Sequence, residues 1–105
     1  MRTFLYVFFF NDYRSAKNAM RRYQAKLLSA GISYTTNSAS MIVFTEDEGN
    51  KCKAMFCKAQ TMRDLERLGG LNITAYVYSD DFKPTPEMEE YIHSRVRHPP
   101  NKESN

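Results

Sequence analysis

The residues able to do chemistry in this chain are few, and their spacing does not suit it. Cys52 and Cys57 are the two cysteines, and His93 and His98 the two histidines. Each pair is five residues apart. On a helix that spacing is a rotation of roughly 140°, so neither pair points into one metal site. The sequence has no C-x-x-C and no H-x-x-x-H. The expectation is two buried, inert thiols and a surface histidine, with no metal and no other cofactor. Catalytic patterns are missing too. There is no nucleophile elbow, no P-loop and no G-x-G-x-x-G, and all four glycines fall at expected turns or helix ends. The sequence therefore predicts a protein that is not an enzyme.

Charge offers more. The formal net charge of +3 is small, but its distribution is uneven. Residues 1–31 sum to +5, 32–50 to −3, 51–69 to +3, 70–90 to −4 and 91–105 to +2. A dipolar surface of this kind steers a protein toward an acidic partner. The first block contains Arg14, Lys17, Arg21, Arg22 and Lys26 against a single acid, Asp12. Ion pairs within the segment do not account for those cations, so they are candidate partner- or phosphate-binding residues. The competing reading is a plain solvated helix face.

These residues need a scaffold, and the stretch it is built around is Thr3 to Phe10, TFLYVFFF. It is apolar or aromatic at nearly every position, the mark of a strand buried on both faces in mid-sheet. Asn11-Asp12 stops it, and Asp12 is a good N-cap. A first helix follows over 13–30, with Ala16, Met20, Tyr23 and Leu27 as its apolar stripe and Gly31 as its C-terminal stop. Short strands are predicted at 32–36 and 40–45, joined by Asn37-Ser38-Ala39. Thr45-Glu46-Asp47-Glu48 has the form of a capping box. A second helix is placed from there, starting between 46 and 51, to Leu68, with Cys52, Met55, Phe56, Ala59 and Met62 on one face and Gly69-Gly70 at its end. A fourth strand spans 72–79. Thr85-Pro86 opens a third helix, 86–97, bearing Met88, Tyr91, Ile92 and Val96.

The order β-α-β-β-α-β plus a helix predicts an α+β fold of the ferredoxin-like plait: a four-stranded antiparallel sheet, two helices on one face, and an extra C-terminal helix. One domain over 1–97 and a polar, mobile tail over 98–105 are expected. The start of the chain does not read as a signal peptide, no stretch reaches the ~18 apolar residues of a membrane span, and two cysteines are few for a secreted domain. A reduced, cytoplasmic setting with no membrane contact follows as the expectation. A short chain containing Asn and Tyr also fits an accessory gene of a virus or mobile element.

In the plait both helices lie on one sheet face. If they cover Leu5, Val7, Phe9, Ile73 and Val77, the other face shows an aromatic set that includes Phe4, Phe10 and the candidate residues Tyr6, Phe8, Tyr76 and Tyr78. Such a patch is covered by the third helix, by a partner protein or second copy, or by stacked bases of single-stranded nucleic acid. Leu5 to Asn11 resembles the strand-1 motif of RNA-recognition-motif domains. That family's strand-3 motif has a basic residue, a glycine and two alternate aromatics. Here the segment runs Asn37 to Phe44 with Ala39 and Met41 at the aromatic positions, so the chain is not assigned to the family. Acylphosphatases, small enzymes on the same plait, use a glycine-bearing anion loop after strand 1, and Phe10-Asn11-Asp12-Tyr13-Arg14 has no glycine. The sequence thus favours a small non-enzymatic interaction protein, an inhibitor, adaptor or regulator that docks on a macromolecule. The alternative is a single-stranded nucleic-acid-binding module.

Overall fold

The structure, a computed structural model, describes residues 2–38, 40–46 and 48–96. It is a mixed α+β fold with a five-stranded sheet and three helices. The strands are β1 (Thr3–Phe10), β2 (Tyr34–Ser38), β3 (Met41–Thr45), β4 (Lys51–Lys58) and β5 (Ala75–Tyr78). The helices are α1 (Tyr13–Ser29), a 3₁₀ helix (Met62–Leu68) and α2 (Pro86–Arg95). The sheet order is β2-β3-β4-β1-β5. β1 pairs in parallel with both neighbours, whereas β2-β3 and β3-β4 are antiparallel hairpins.

This corrects the four-stranded antiparallel plait at one element. Lys51–Lys58 is a strand, not the start of a second helix, and only Met62–Leu68 of that predicted helix is helical. The reason lies in burial. Cys52, Ala54 and Phe56 face one side of the sheet and Met55 and Cys57 the other, and all five are buried. A strand covered on both faces is a continuous apolar run, and such a run matches helical spacing as well. The predicted capping box is the β3–β4 turn instead. Glu46 N–H donates to the Asn50 carbonyl at 2.9 Å, Gly49 N–H to the Glu46 carbonyl at 2.9 Å, and Gly49 sits at φ +85° where a side chain is strained.

The other elements follow local chemistry. Asp12 caps α1 by accepting from Ser15 N–H at 2.7 Å. α1 ends in a Schellman arrangement: Ile32 N–H donates to the Leu27 carbonyl and Gly31 N–H to that of Leu28, with Gly31 at φ +76°. Thr85 caps α2, accepting from Met88 N–H at 3.1 Å, with Pro86 in the first turn. The predicted end of this helix at Arg97, and the tail over 98–105, lie outside the described residues.

Two cores result, one on each sheet face. On the first, Leu5, Val7 and Phe9 of β1 and Met55 and Cys57 of β4 meet Leu65 and Leu68 of the 3₁₀ helix and Met88 and Ile92 of α2. On the second, Phe10, Phe56, Ile42 and Ala54 meet Ala16, Met20 and Leu27 of α1. The C-terminal helix folds back onto the Leu5–Val7–Phe9 face, not the Phe8–Phe10 face it was expected to cover, and α1, expected on the former, covers the latter. Phe9 is fully buried and packs against Tyr76, Tyr78 and Phe82 with ring centroids 5.6–6.4 Å apart. Phe9→Ala is therefore expected to cost about 3–5 kcal/mol. Tyr13→Ala, at a residue 56% exposed, should stay within about 0.5 kcal/mol. Urea denaturation followed by circular dichroism measures both.

Candidate functional site

In sheets with crossovers to both faces, ligands usually sit beyond the carboxyl ends of adjacent strands whose connections part to opposite sides. β1 and β4 are such a pair. β1 leads into α1 on one face and β4 into the 3₁₀ helix on the other. A phosphate or carboxylate there would be held by free helix N-termini. Here the chain's own carboxylates take that place. Asp12 accepts from Ser15 N–H and from Ser15 Oγ. Asp64 accepts from Gln60 N–H at 2.8 Å, from Thr61 N–H at 3.2 Å and from Lys58 Nζ at 3.2 Å. Those donors, the Gln60 amide first, hold the Asp64 carboxyl below the usual aspartate value. The place best suited to an anion is already filled.

Clefts offer little more. One of about 430 Å³ lies between the end of α1 and the β2–β3 hairpin, lined by residues such as Ile32, Tyr34, Val43 and Phe44. Its lining has no carboxylate, imidazole or thiol. The cysteines sit on opposite faces of β4, both fully buried. The sequence had separated them by helical rotation, and the structure separates them by strand alternation. Burial pushes the Cys52 thiol up to about 11, with the Glu46 side chain adding to the shift, and burial likewise pushes Cys57 to about 11 against the pull of Arg67. Neither thiol is a ready nucleophile. His93 is exposed on α2 beside the Tyr76 ring at 5.6 Å, and His98 lies outside the described residues.

The predicted aromatic face divides. Tyr6 and Phe8 lie on the α1 side of β1. Tyr76 and Tyr78 stand opposite Val7 and Phe9 in the parallel register and so share the α2 side, packed on Phe9, Phe82 and His93. A one-residue difference in register exchanges the faces of a strand, and here it sends Val77, expected in the core, to the α1 side, 53% exposed. The Tyr78 hydroxyl is enclosed without a hydrogen-bond partner, and burial pushes its phenol up to about 12. These tyrosines serve as core.

The predicted basic residues stay together at the surface. Arg14, Lys17, Arg21, Arg22 and Lys26 are all exposed on α1. Among the described residues none of the five takes part in an ion pair; the pair formed is Lys58–Asp64. Lys17 Nζ lies 5.7 Å from the centre of the Tyr13 ring. Tyr13 and Leu28, 56% and 63% exposed, flank the stripe formed by Arg14, Lys17 and Arg21. The sequence missed the exposure of Tyr13, Leu28 and Val77. The helical position of Leu28, off the Ala16–Met20–Tyr23–Leu27 stripe, carried its exposure; Tyr13, seven residues before Met20, falls on the line of that stripe and is exposed at the helix start all the same, while Val77 depended on strand register.

Comparison with protein-family models, curated proteins and solved structures finds no match for this chain.

The buried thiols make a prediction. Their folded values lie above the ordinary 9.0, so the unfolded chain loses those protons first as pH rises. Their contribution to stability is fully present below about 9 and is lost as pH climbs to about 11. Urea midpoints should therefore fall across that window. Thiol reagents at neutral pH should label the native protein slowly and the denatured protein at both cysteines.

Proposed function

We propose that this protein acts by docking, as a small inhibitor, adaptor or regulator whose basic α1 surface engages an acidic surface of a protein partner. One observation carries the reading: five exposed cations on one helix, with no ion pair among the described residues, and three of them flanked by Tyr13 and Leu28. Folding alone does not require that arrangement. α1 buries Ala16, Met20 and Leu27, and its outward side could carry mixed charge equally well. Unpaired cations remain available to a partner, where they raise the association rate and select against basic surfaces. Exposed Tyr and Leu beside them supply apolar contact area, as interface cores do.

Single-stranded nucleic acid fits the charge but not the aromatics. Its stacking platform required Tyr6, Phe8, Tyr76 and Tyr78 on one open face, and those residues lie on two faces. The expected cytoplasmic setting agrees with two unpaired thiols that face away from each other.

Fluorescence anisotropy with labelled polyglutamate, single-stranded RNA, single-stranded DNA and duplex DNA, each at low and high salt, tests the reading. Polyglutamate should bind at low salt and release at high salt. Arg14→Glu/Lys17→Glu/Arg21→Glu should weaken that binding roughly ten- to hundredfold while leaving the circular dichroism spectrum unchanged. Tight binding to single strands that is lost on Tyr6→Ala would move the reading to nucleic acid. Indifference of every probe at low salt would remove α1 as a docking surface.

A further inference from the structure

The cations of α1 have a counterpart on the other side of the sheet. β4 lies in mid-sheet, yet two of its first three residues are lysines. Ala54 and Phe56 of this strand belong to the core under α1, and Met55 and Cys57 to the core on the opposite face. Strand alternation therefore puts Lys51 and Lys53 on the side away from α1. There the 3₁₀ helix and α2 pack over Met55 and Cys57. They leave the start of β4 open: Lys51 is exposed and Lys53 half-buried.

Neither lysine has an acid across from it. Lys51 stands between Thr3 and Thr45, and Lys53 between Leu5 and Val43. Opposite charges on facing strands stabilise a sheet, and these two rows have none. Glu46, at the end of β3, places its side chain by Cys52 on the α1 side. Farther up the same face Arg67 of the 3₁₀ helix donates from Nη2 to the Ser40 hydroxyl at 3.3 Å, just before β3. Among the described residues Lys51, Lys53 and Arg67 take part in no ion pair, the pair formed being Lys58–Asp64. Half-buried Val43 and exposed Thr35 and Thr45 continue the surface over β3 and β2.

We propose that this open part of the sheet is a second docking surface for an acidic polypeptide, and that the protein is an adaptor holding two acidic partners at once. The inference rests on the reading of α1 as the first such surface. Charge complementarity selects the occupant: three cations without acids beside them attract carboxylates and reject basic surfaces. Val43 among them supplies apolar contact, as Tyr13 and Leu28 do beside α1. The two surfaces face opposite ways, with the sheet and a helix about 10–12 Å across between them, so one flat partner does not reach both. Inhibition by docking needs one surface, whereas two back to back suit an adaptor. With three cations against five, this is the weaker of the two.

A co-capture assay tests the inference. Polyglutamate fixed on beads and a short fluorescent polyglutamate peptide in solution are mixed with the protein at low salt. The wild-type protein should carry the labelled peptide onto the beads, and high salt should release it. Lys51→Gln/Lys53→Gln/Arg67→Gln should lower the co-captured signal at least about tenfold, while the protein itself still reaches the beads through α1 and keeps its circular dichroism spectrum. Arg14→Glu/Lys17→Glu/Arg21→Glu should lower the signal likewise and retain only weak binding of the peptide. Amide chemical-shift mapping of the wild-type protein should place the peptide at two separate groups of residues, one on α1 and one around Val43, Lys51 and Lys53. A protein that binds the peptide but never bridges it to the beads overturns the inference and leaves the reading of α1 standing. Absence of any polyglutamate binding removes both. Co-capture that survives Lys51→Gln/Lys53→Gln/Arg67→Gln also overturns the inference, and so does a preference of this surface for labelled single-stranded DNA over the peptide.

Discussion

Everything in this fold depends on β1 having a parallel neighbour on each side. Parallel strands cannot be joined by a tight turn, so the chain must cross a sheet face each time it reaches one. α1 makes one crossing, and the 3₁₀ helix makes the other on the opposite face. β1 is thereby covered above and below, which is why Val7 and Phe9 are fully buried and Phe10 nearly so. Two hydrogen bonds mark where β1 binds the segments that follow its neighbours. Ala59 N–H donates to the Phe10 carbonyl at 2.9 Å and Ser79 N–H to the Phe9 carbonyl at 3.0 Å.

Most elements were legible in the sequence because their signals are local. Asp12, Gly31, Thr85 and Pro86 mark helix ends through their own hydrogen bonds or backbone angles. The central position of β1 was legible from its unbroken apolar run. β4 was not, for the same physical reason. A run such as Cys52-Lys53-Ala54-Met55-Phe56-Cys57 satisfies a strand buried on both faces and a helix buried on a broad one. Only its partner decides, and β1, its parallel partner, lies more than forty residues away in sequence. Reading that run as a helix turned a five-stranded mixed sheet into a four-stranded antiparallel one.

The candidate site divides along the same line. The basic stripe depends on helical spacing alone and stands where the sequence placed it. The aromatic face depended on the register of β5 against β1, a long-range quantity, and the actual register moved Tyr76 and Tyr78 to the other side. With a helical layer on each face, much of the aromatic surplus becomes core: Phe8 stacks on Phe56 at 5.0 Å and Phe9 on Phe82 at 5.6 Å. A single open stacking surface would have needed one bare sheet face, and this topology leaves none.

Folding alone leaves more than one surface unaccounted for, and these surfaces are independent. The cations of α1 project away from the sheet, so exchanging them for mixed charge would leave Ala16, Met20 and Leu27 as packed as before. The bare flank of β5 exists because α1 is displaced toward β4 and β3, and lysine at Val77 would disturb no core contact at a site already half in water. β2 shows that this chain can protect a sheet edge, with polar residues and an irregular register. β5, by contrast, is apolar and regular, and the Ile73–Val96 bridge lies on its outer side just before its start.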